Sequence, residues 1–396
     1  MRTIAFVIPW FDENIPGGAE MELRGLATHL NEAGVAVEIL TTCVKEFNSD
    51  WNVNYYKPGV DKVLGITVRR FEVDKSNPEK FAAVNSKLMQ NQSLTLREEK
   101  IFCDEMVNSK DLYDYIEEEQ GRYELFVFIP YMFGTTYFGC QICPEKSVLI
   151  PCFHDESYAY MASFKSAFSN VAGMIFNAKP ELELAKNLYN LDKMETIVLG
   201  VGLDTDLTYN AERFRKKYSL NDPFILYAGR KDKGKNVDTL LTYFCEYKKR
   251  NHNDMKLVLI GGGEIEIPDD IASDVIDLGF VDKQDKYDAC AAATLLCQPS
   301  HNESFSLVIM ESWLCKRPVL VSGACAVTKQ FAIDTNGGLY FENFFEFEGA
   351  TNRLVQDESL AIAMGENGCA YVKNNFSWPV IVERCMTFFE NVAKQK

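Results

Sequence analysis

The chain has 396 residues, of which 47% are hydrophobic and 25% are charged. This length exceeds what one hydrophobic core usually serves, so we expect a globular protein with two domains. The formal net charge of −16 argues against a broad nucleic-acid interface, which needs a basic surface. A local basic pocket for phosphates is still compatible with this charge.

The apolar stretch at residues 4–11 runs directly into Asp12 and Glu13 without a signal-peptide cleavage site. No uninterrupted apolar segment reaches the roughly 18 residues that a membrane span needs. We therefore expect a cytoplasmic protein, with at most peripheral contact at the inner face of the membrane. The twelve cysteines are then reduced thiols, and the lone C-x-x-C of Cys140 and Cys143 is interpreted as two packed thiols.

The first half of the chain alternates between strand and helix patterns. An apolar strand at residues 3–9, a polar loop, a helix that ends before Gly34 and a strand at 35–42 form a β-loop-α-β unit. Residues 45–120 are less regular, with a strand at 63–73 and one long helical region at 92–120. Further strands are predicted at 125–129, 147–151, 171–176 and 195–199, with a helix at 180–189.

A break at residues 200–204 separates this series from another one. After a basic helix at 213–218, strands are predicted at 224–228, 256–260, 275–278, 294–298 and 318–322, with helices at 236–250, 283–292 and 306–314. The alternation predicts an α/β protein with two doubly wound, Rossmann-like domains, residues 1–203 and 204–377, that face each other across a cleft.

Two carboxylates follow the strand at 294–298. Glu303 lies in the loop beyond the carboxyl end of that strand, where open parallel sheets bind ligands, and Glu311 lies about a turn into the next helix. Each could instead be an ordinary solvated helix carboxylate. The pair becomes informative only if other parts of the chain supply matching groups.

The loop at residues 229–236 is such a part. It joins a strand to a helix, so its backbone N–H groups favour an anion, and Arg230 and Lys235 add two cations suited to a diphosphate. The alternative is a solvated basic loop. Within the first domain, Gly17 and Gly18 would let a phosphate approach the bare backbone. Alternatively, they only form a tight turn at the start of the first helix.

Histidine supplies the next candidate. His154 follows the strand at 147–151 and so lies at the ligand edge of the first sheet, whereas no role is fixed for His301, which neighbours Glu303.

Asp204-Thr205-Asp206 is a D-x-D in the interdomain linker, where we predict no metal site.

In this order, these residues resemble the retaining GT-B glycosyltransferases of the bacterial sugar-nucleotide family (glycosyltransferase family four). The resemblance spans nearly the whole chain. Its motifs are G-G-A-E (17–20), H-D (154–155), G-L-D (202–204), G-R-x4-K (229–235), G-x-G (261–263), L-G-F-V (278–281), P-S-x-x-E-x7-E (299–311), P-V (318–319) and F-S-W (376–378).

The resemblance implies sugar transfer from a nucleotide diphosphate sugar, with retained anomeric configuration and without a metal or a further cofactor. Arg230 and Lys235 would stabilise the diphosphate, Glu311 would bind the ribose, and Glu303 would contact the donor sugar, with His154 on its other side. The base would meet the backbone near Phe280 and Val281. The implied donor site also includes Gly17, Gly18, Ser304, Phe305, Ser306 and Leu307, and a final helix at about 378–396 would pack back on the first domain.

The chain departs from the family pattern where glycine is common. Asn236, Ser304, Ser306 and the pair Lys316-Arg317 stand at or beside such positions. Because all lie around the donor sugar or its loop, they leave donor identity open.

The functional prediction is a retaining hexosyltransferase. A UDP-sugar is favoured, UDP-glucose first, with a saccharide or lipid-linked acceptor in bacterial surface or exopolysaccharide synthesis. The alternatives are a nucleotide-sugar epimerase or a phosphorylase on the same architecture, and a non-catalytic nucleotide-sugar binder. The acceptor would be selected mainly by residues 45–120, and Trp51, Tyr55 and Tyr131 are guesses for acceptor-side aromatics.

Overall fold

The computed structural model describes residues 2–394, which fall into two compact units. The first consists of Met1–Gly202 and Trp378–Lys396, and the second of Leu203–Ser377. Each unit is built on one sheet whose strands alternate with helices along the chain. The predicted α/β class is therefore confirmed.

The first unit contains an eight-stranded sheet. Its strands are β1 (Thr3–Ile8), β2 (Val37–Thr42), β3 (Gly59–Val63), β4 (Ile66–Phe71), β5 (Tyr123–Phe128), β6 (Ser147–Leu149), β7 (Gly173–Phe176) and β8 (Glu195–Val198). Its helices are α1 (Gly18–Glu32), α2 (Pro78–Met89), α3 (Leu96–Asp104), α4 (Lys110–Glu119), α5 (Gly134–Gly139), α6 (Ala162–Phe168), α7 (Lys179–Leu188) and, from the C-terminal end of the chain, α15 (Trp378–Lys394).

The order of this sheet is β3-β4-β2-β1-β5-β6-β7-β8. All neighbouring strands are parallel except β3 and β4. Since β1 pairs with β2 on one side and with β5 on the other, the chain reverses its direction of winding there. The carboxyl ends of β1 and β5 thus flank the point at which doubly wound sheets bind ligands.

The irregular stretch of the first unit differs from the prediction. The strand predicted at 63–73 is the second arm of a hairpin, and its first arm, β3, was missed because four of its five residues are exposed. The single helical region predicted at 92–120 is wrong. Thr95 caps α3 and Ser109 caps α4, and such side-chain caps begin a new helix rather than continue one.

The second unit contains a six-stranded, fully parallel sheet. Its strands are β9 (Phe224–Ala228), β10 (Lys256–Ile260), β11 (Val275–Asp277), β12 (Leu295–Gln298), β13 (Val319–Ser322) and β14 (Gly338–Phe341). Its helices are α8 (Ala211–Tyr218), α9 (Val237–Asn251), α10 (Lys283–Ala292), α11 (Leu307–Leu314), α12 (Ala326–Thr335), α13 (Phe344–Gln356) and α14 (Glu358–Phe376).

The strand order of the second sheet is β11-β10-β9-β12-β13-β14. The chain winds outward from β9 to β11, then returns and winds the other way from β12 to β14. Its switch point therefore lies between β9 and β12, so the loops that follow these two strands share one ligand edge.

The last helix of the described chain, α15, is anchored in the first unit by Trp378. Its ring stacks on His29 of α1 with 3.9 Å between the ring centroids. Glycine is required at two neighbouring positions, because a Cβ on Gly25 or Gly202 would lie 2.5 or 2.2 Å from the indole. The helix thus packs through an aromatic ring that fits against bare backbone.

The cysteines of the chain are all free thiols, and Cys140 and Cys143 are both buried. Within residues 2–394, we find no helix with the length and apolar character that crossing a membrane would require.

Candidate functional site

The loop after β9 carries the two predicted phosphate-binding cations in different environments. Arg230 is largely exposed, with 72% of its side chain accessible, and its Nε lies 3.3 Å from Asp232 Oδ2. Lys235 is only 23% exposed, and its Nζ lies 2.6 Å from Glu303 Oε1. The structure therefore brings Lys235 and Glu303 together, 68 residues apart in sequence, while Arg230 extends into solvent from the same loop.

Glu303 is held from one side only. Its Oε1 accepts hydrogen bonds from Lys235 Nζ at 2.6 Å and from Gln298 Nε2 at 3.2 Å. Its Oε2 has no protein partner among the residues that the structure describes, although the side chain is only 10% exposed. A carboxylate held in this way has a fixed direction. Its second oxygen is left to accept a hydrogen bond from a hydroxyl group.

Glu311 has an equivalent arrangement on α11. Its Oε1 lies 2.6 Å from Lys286 Nζ of α10, and its side chain is 10% exposed. The sequence analysis missed Lys286, because its partner is 25 residues away and only the packing of α10 beside α11 brings the two together. The second unit thus carries two lysine–glutamate pairs with the same Nζ–Oε1 distance.

Three non-glycine residues that depart from the family pattern have left-handed backbone conformations. Asn236 (φ 56) and Ser306 (φ 71) lie at the edge itself, and Lys316 (φ 58) follows the far end of α11, before β13. Each stands at a position where the family pattern led us to expect glycine. Asparagine tolerates this conformation better than most residues. At these three positions, unlike at Ser304, the chain changes the side chain but keeps a backbone turn that glycine usually makes.

Asn236 also joins the two loops of the edge. Its Nδ2 donates to the carbonyl of Pro299 at 3.1 Å and lies 2.9 Å from His301 Nε2. Through Pro299 and His301, Asn236 therefore links the loop at residues 229–236 to the loop that carries Glu303. A second link at this edge is made by buried Lys231, whose Nζ lies 2.6 Å from Asp277 Oδ1.

The other predicted donor-site residues divide between exposed and buried positions. Phe280 is 88% exposed, and Val281, Ser304 and Leu307 are half-buried. Phe305 is different, because its ring is buried against Phe376 and Phe331 with centroids 4.9 and 5.4 Å away. Only the backbone of Phe305 is therefore able to meet a ligand.

In the first unit, the predicted glycine pair lies at the start of α1, where a carboxylate lies against Gly17 while Gly18 has open space beside it. A Cβ on Gly17 would lie 1.9 Å from Glu20 Oε2, and Glu20 Oε1 accepts a hydrogen bond of 2.5 Å from Trp10 Nε1. Burial raises the pKa of the Glu20 carboxyl. In this conformation a carboxylate occupies the helix N-terminus that we expected a phosphate to approach.

His154 lies beyond the end of β6, as expected, and its imidazole is half-buried. Its Nδ1 lies 3.5 Å from Glu156 Oε1, which also accepts a hydrogen bond of 3.0 Å from Tyr131 OH. Tyr131 is only 1% exposed, so the guess that it meets an acceptor is wrong. It instead supports the carboxylate beside His154.

A group of buried polar side chains lies next to the His154 loop. Asn177 Nδ2 donates to Glu22 Oε2 at 2.9 Å, and Cys152 Sγ lies 3.7 Å from the same oxygen. Glu181 Oε1 and Oε2 accept the backbone N–H groups of Phe153 and Asn177. Burial raises the pKa of Glu22 to about 7 and that of Glu181 to about 8. The sequence analysis missed both acids.

Two of the guessed acceptor-side aromatics belong to the loop after β2. Trp51 is half-buried in a cluster with Trp10, Phe81 and Phe133. Tyr55 is 60% exposed and packs edge-on against Tyr56 at 5.0 Å between ring centroids. Among these rings, Tyr55 is the one that presents most of its surface to solvent.

The second unit therefore offers cations and hydroxyl acceptors at one edge. Arg230 and Lys235 suit an anion. The Oε2 atoms of Glu303 and Glu311, which accept no hydrogen bond from the described residues, suit hydroxyl groups. This combination fits a polyhydroxylated phosphate compound. Among residues 2–394, no group of three or more histidine, cysteine, aspartate or glutamate side chains is arranged to hold a metal ion.

Comparison with known proteins agrees with this chemistry. Residues 209–370 match the family described as glycosyl transferases group 1. The chain is 26% identical over 225 residues to D-inositol 3-phosphate glycosyltransferase of Corynebacterium aurimucosum, across 52% of this chain and 53% of that protein. It is 28% identical over 229 residues to the capsular polysaccharide biosynthesis glycosyltransferase CapM of Staphylococcus aureus, across 52% and 58%. The chain thus spans about half the length of the curated relatives it matches.

Solved structures match over the whole length. Sucrose-phosphate synthase of Thermosynechococcus elongatus covers 100% of both chains with a TM-score of 0.73 at 18% identity. Anabaena Alr3699/HepE in complex with UDP and glucose covers 99% of this chain and 100% of that chain, with a TM-score of 0.71 at 14% identity. These likenesses confirm the GT-B fold predicted from the sequence. The match of residues 209–370 to the glycosyl transferases group 1 family confirms the resemblance to glycosyltransferases that was read from the motifs.

Proposed function

We propose that the chain is a retaining, metal-independent hexosyltransferase. It moves a sugar from a nucleotide diphosphate donor to a saccharide or lipid-linked acceptor. The observation that carries this proposal is the pair of lysine–glutamate contacts, Lys235–Glu303 and Lys286–Glu311. All four residues lie within the segment 209–370 that matches the family.

Arg230 and Lys235 are assigned to the diphosphate. As the glycosidic bond breaks, negative charge develops on the leaving diphosphate, and fixed cations stabilise that charge without reorganisation. The Lys235 ammonium has several N–H donors, so it can hold a phosphate oxygen while it keeps Glu303 in place, although the two acceptors compete for its positive charge. Arg230 is exposed and contacts only Asp232 through its side chain within the described residues, so its guanidinium is able to turn toward the ligand.

Glu303 and Glu311 are assigned to hydroxyl groups. Glu303 Oε2 accepts a hydrogen bond from a hydroxyl group of the donor sugar. Glu311 Oε2 accepts one from a hydroxyl group of the ribose. Each lysine partner fixes the carboxylate direction, which favours recognition of one hydroxyl geometry. His154 is the residue of the first unit that we assign to the sugar.

We infer retention from the resemblance of the motifs. Since no carboxylate is assigned as a nucleophile, unlike in the retaining hydrolases, the acceptor would attack on the same face of the sugar that the diphosphate leaves. The acceptor oxygen forms the new bond to the anomeric carbon, and the bond to the diphosphate oxygen breaks. The leaving oxygen takes the acceptor proton, so that nucleoside diphosphate and glycoside are the products. Glu303 then holds the sugar and does not attack it.

The proposed donor is a UDP-sugar, with UDP-glucose first. Support comes from the Anabaena protein, whose structure is described as a complex with UDP and glucose. The base would meet the backbone at Phe280 and Val281. The proposed setting, surface or exopolysaccharide synthesis, is supported by the relative named for capsular polysaccharide biosynthesis.

A thermal-shift screen of nucleotides and nucleotide sugars tests the donor, because a ligand that binds the folded state raises Tm. The best donor is then offered to saccharide and lipid-linked acceptors, and the product anomer is determined by NMR. We expect transfer with retained configuration in the presence of EDTA. An epimerised sugar formed without acceptor, or a sugar phosphate formed with inorganic phosphate, would contradict the proposal.

The variant Lys235→Ala tests the site itself. It should lose about 100-fold or more in kcat/KM, the size of effect seen when one preorganised donor is removed. Lys233→Ala is the matched control, because Lys233 is an exposed lysine of the same loop and should keep wild-type activity. Full activity in Lys235→Ala would overturn the assignment.

A further inference from the structure

The loop that carries His154 has a strained backbone. β6 ends at Leu149, and Cys152, only two residues before His154, has a positive φ of 57°. A non-glycine residue in this conformation costs about 1 kcal/mol or more and persists only where the surroundings enforce it. Something in the first unit must therefore hold the loop in place.

Glu181 of α7 supplies that hold. Its Oε1 accepts the Phe153 backbone N–H at 2.7 Å, across 28 residues of sequence. Its Oε2 accepts the Asn177 backbone N–H at 2.6 Å. The residue is 2% exposed, so water cannot easily replace either contact. One carboxylate thus joins the loop after β6 to the loop after β7.

Capping of α7 alone does not explain this arrangement. The N-cap residue, Ala178, makes no side-chain cap, and a carboxylate three residues later commonly reaches back to the nearby backbone. The Asn177 contact is of that local kind. The Phe153 contact is different, because its donor belongs to another connection of the sheet, directly before His154.

A second acid secures the residue on the other side of Phe153. Cys152 Sγ lies 3.7 Å from Glu22 Oε2, and Asn177 Nδ2 donates to the same oxygen at 2.9 Å. Glu22 belongs to α1 and is 6% exposed. Residues 152–153 are therefore fixed from two helices, while the His154 imidazole is left half-buried beside Glu156.

We propose that Glu181 is a positioning residue that fixes the backbone of residues 152–154 and thereby aims the His154 ring at the ligand edge of the first sheet. The proposal rests on the sugar-contacting role of His154 in the function proposed above. Glu181 itself does not touch the ligand. It acts by keeping the loop rigid, and a misplacement of about 1 Å in such a loop can cost about 100-fold in rate.

The test compares wild type with Glu181→Gln in the full-length chain. Glutamine has nearly the same shape, but its NH2 group cannot accept a backbone N–H, so one of the two contacts is lost. The matched control is Glu183→Gln on the same helix, because Glu183 is exposed and paired only with Lys186 at 2.8 Å within the described residues. Glu181→Asp, which keeps the carboxyl group on a shorter side chain, serves if Glu181→Gln does not fold.

The first readout is hydrogen exchange of the peptide that covers residues 150–157. In Glu181→Gln we expect this exchange to be about tenfold faster or more, with little change in peptides from the second unit. Unchanged exchange in this peptide would overturn the proposal. So would a uniform increase across the whole first unit, because that would indicate general destabilisation rather than a local hold.

The second readout is steady-state transfer. We expect kcat to fall about 10- to 100-fold while KM for the donor changes less than about twofold, and Glu183→Gln to match wild type. A wild-type kcat in folded Glu181→Gln would overturn the role in positioning His154. If wild type transfers no sugar from any donor, the proposed function fails, and the exchange experiment still decides whether Glu181 holds the loop.

Discussion

The side chains at the ligand edges of the two units make different kinds of contact. In the first unit, acids accept N–H groups: buried Glu181 from the backbone, buried Glu22 from Asn177, and half-buried Glu20 from Trp10. In the second unit, glutamates are paired with lysines that are still partly exposed, with 23% and 27% of the lysine side chains accessible. The first edge therefore presents acids that already accept N–H groups, and the second presents paired lysines that are still partly exposed to a ligand.

This difference supports the proposal that the second unit stabilises the diphosphate. A phosphate near Gly17 would meet the Glu20 carboxylate, which covers that glycine, whereas one near residues 229–236 would meet Arg230 and Lys235. Since like charges repel and opposite charges attract most strongly where water is excluded, the comparison assigns the diphosphate to the second unit. The variants below test this comparison, from the largest expected effect to the smallest.

Glu303→Gln should separate catalysis from nucleotide binding. We expect kcat to fall about 100- to 1,000-fold, because the sugar loses a directed acceptor. The affinity for UDP should increase, since Lys235 no longer has a carboxylate at 2.6 Å to compete with the phosphate. Calorimetry with UDP and steady-state kinetics measure the two effects, with exposed Glu264→Gln as control. Weaker UDP binding in Glu303→Gln would show that the pair does not compete in this way.

Glu22→Gln should change how the stability of the first unit depends on pH. The folded-state pKa of Glu22 is raised from 4.5 to about 7, chiefly by burial. Above pH 4.5 the unfolded chain therefore loses a proton that the folded chain keeps, so wild-type stability falls until about pH 7. Because glutamine has no carboxyl proton, the Glu22→Gln variant should not show this fall in stability.

The variant should thus gain on the order of 3 kcal/mol relative to wild type between pH 4 and pH 8. Denaturant unfolding at several pH values, followed in the first unit, measures this gain. Glu183→Gln is again the control, because Glu183 is exposed on the surface of the same unit. A difference between Glu22→Gln and wild type that is constant with pH would rule out this titration.

Lys286→Met should weaken binding of the nucleotide and spare the chemical step. Without the ammonium, Glu311 loses its fixed direction, and we expect KM for the donor to rise about tenfold while kcat stays within about twofold. Lys286→Arg should restore much of the affinity, since it keeps the charge. Lys283→Met provides a control on the same helix, where the lysine is 67% exposed. A loss confined to kcat would place Glu311 in the reaction rather than at the ribose.

Glu20→Gln should have the smallest effect. It keeps a side-chain oxygen for Trp10 Nε1 and removes the negative charge beside Gly17. Because the diphosphate is assigned to the second unit, we expect the affinity for UDP to change less than about twofold. Titration of UDP into this variant measures it. Binding that tightens about tenfold would mean that Gly17 does meet a phosphate and that the two edges differ less than proposed.

Local sequence patterns were sufficient for most of the second unit. The predicted strands at 224–228 and 256–260 and the predicted helix at 283–292 coincide with β9, β10 and α10, because buried parallel strands are continuous apolar runs. The pattern failed at β3, whose side chains are mostly exposed. An exposed strand bears no apolar signal and is recognised only by its pairing with β4.

The sequence by itself determined the α/β class, the family resemblance and the loops that carry Arg230, Lys235, Glu303 and His154, since each of these follows from order and spacing along the chain. Only the tertiary structure decided the partners: Lys235 with Glu303, Lys286 with Glu311, Glu181 with the Phe153 amide, and Glu20 over Gly17. Each of these contacts except the last joins separate connections of a sheet. Strand order brings those connections together, and the pairing of strands cannot be read from the local pattern of any one of them.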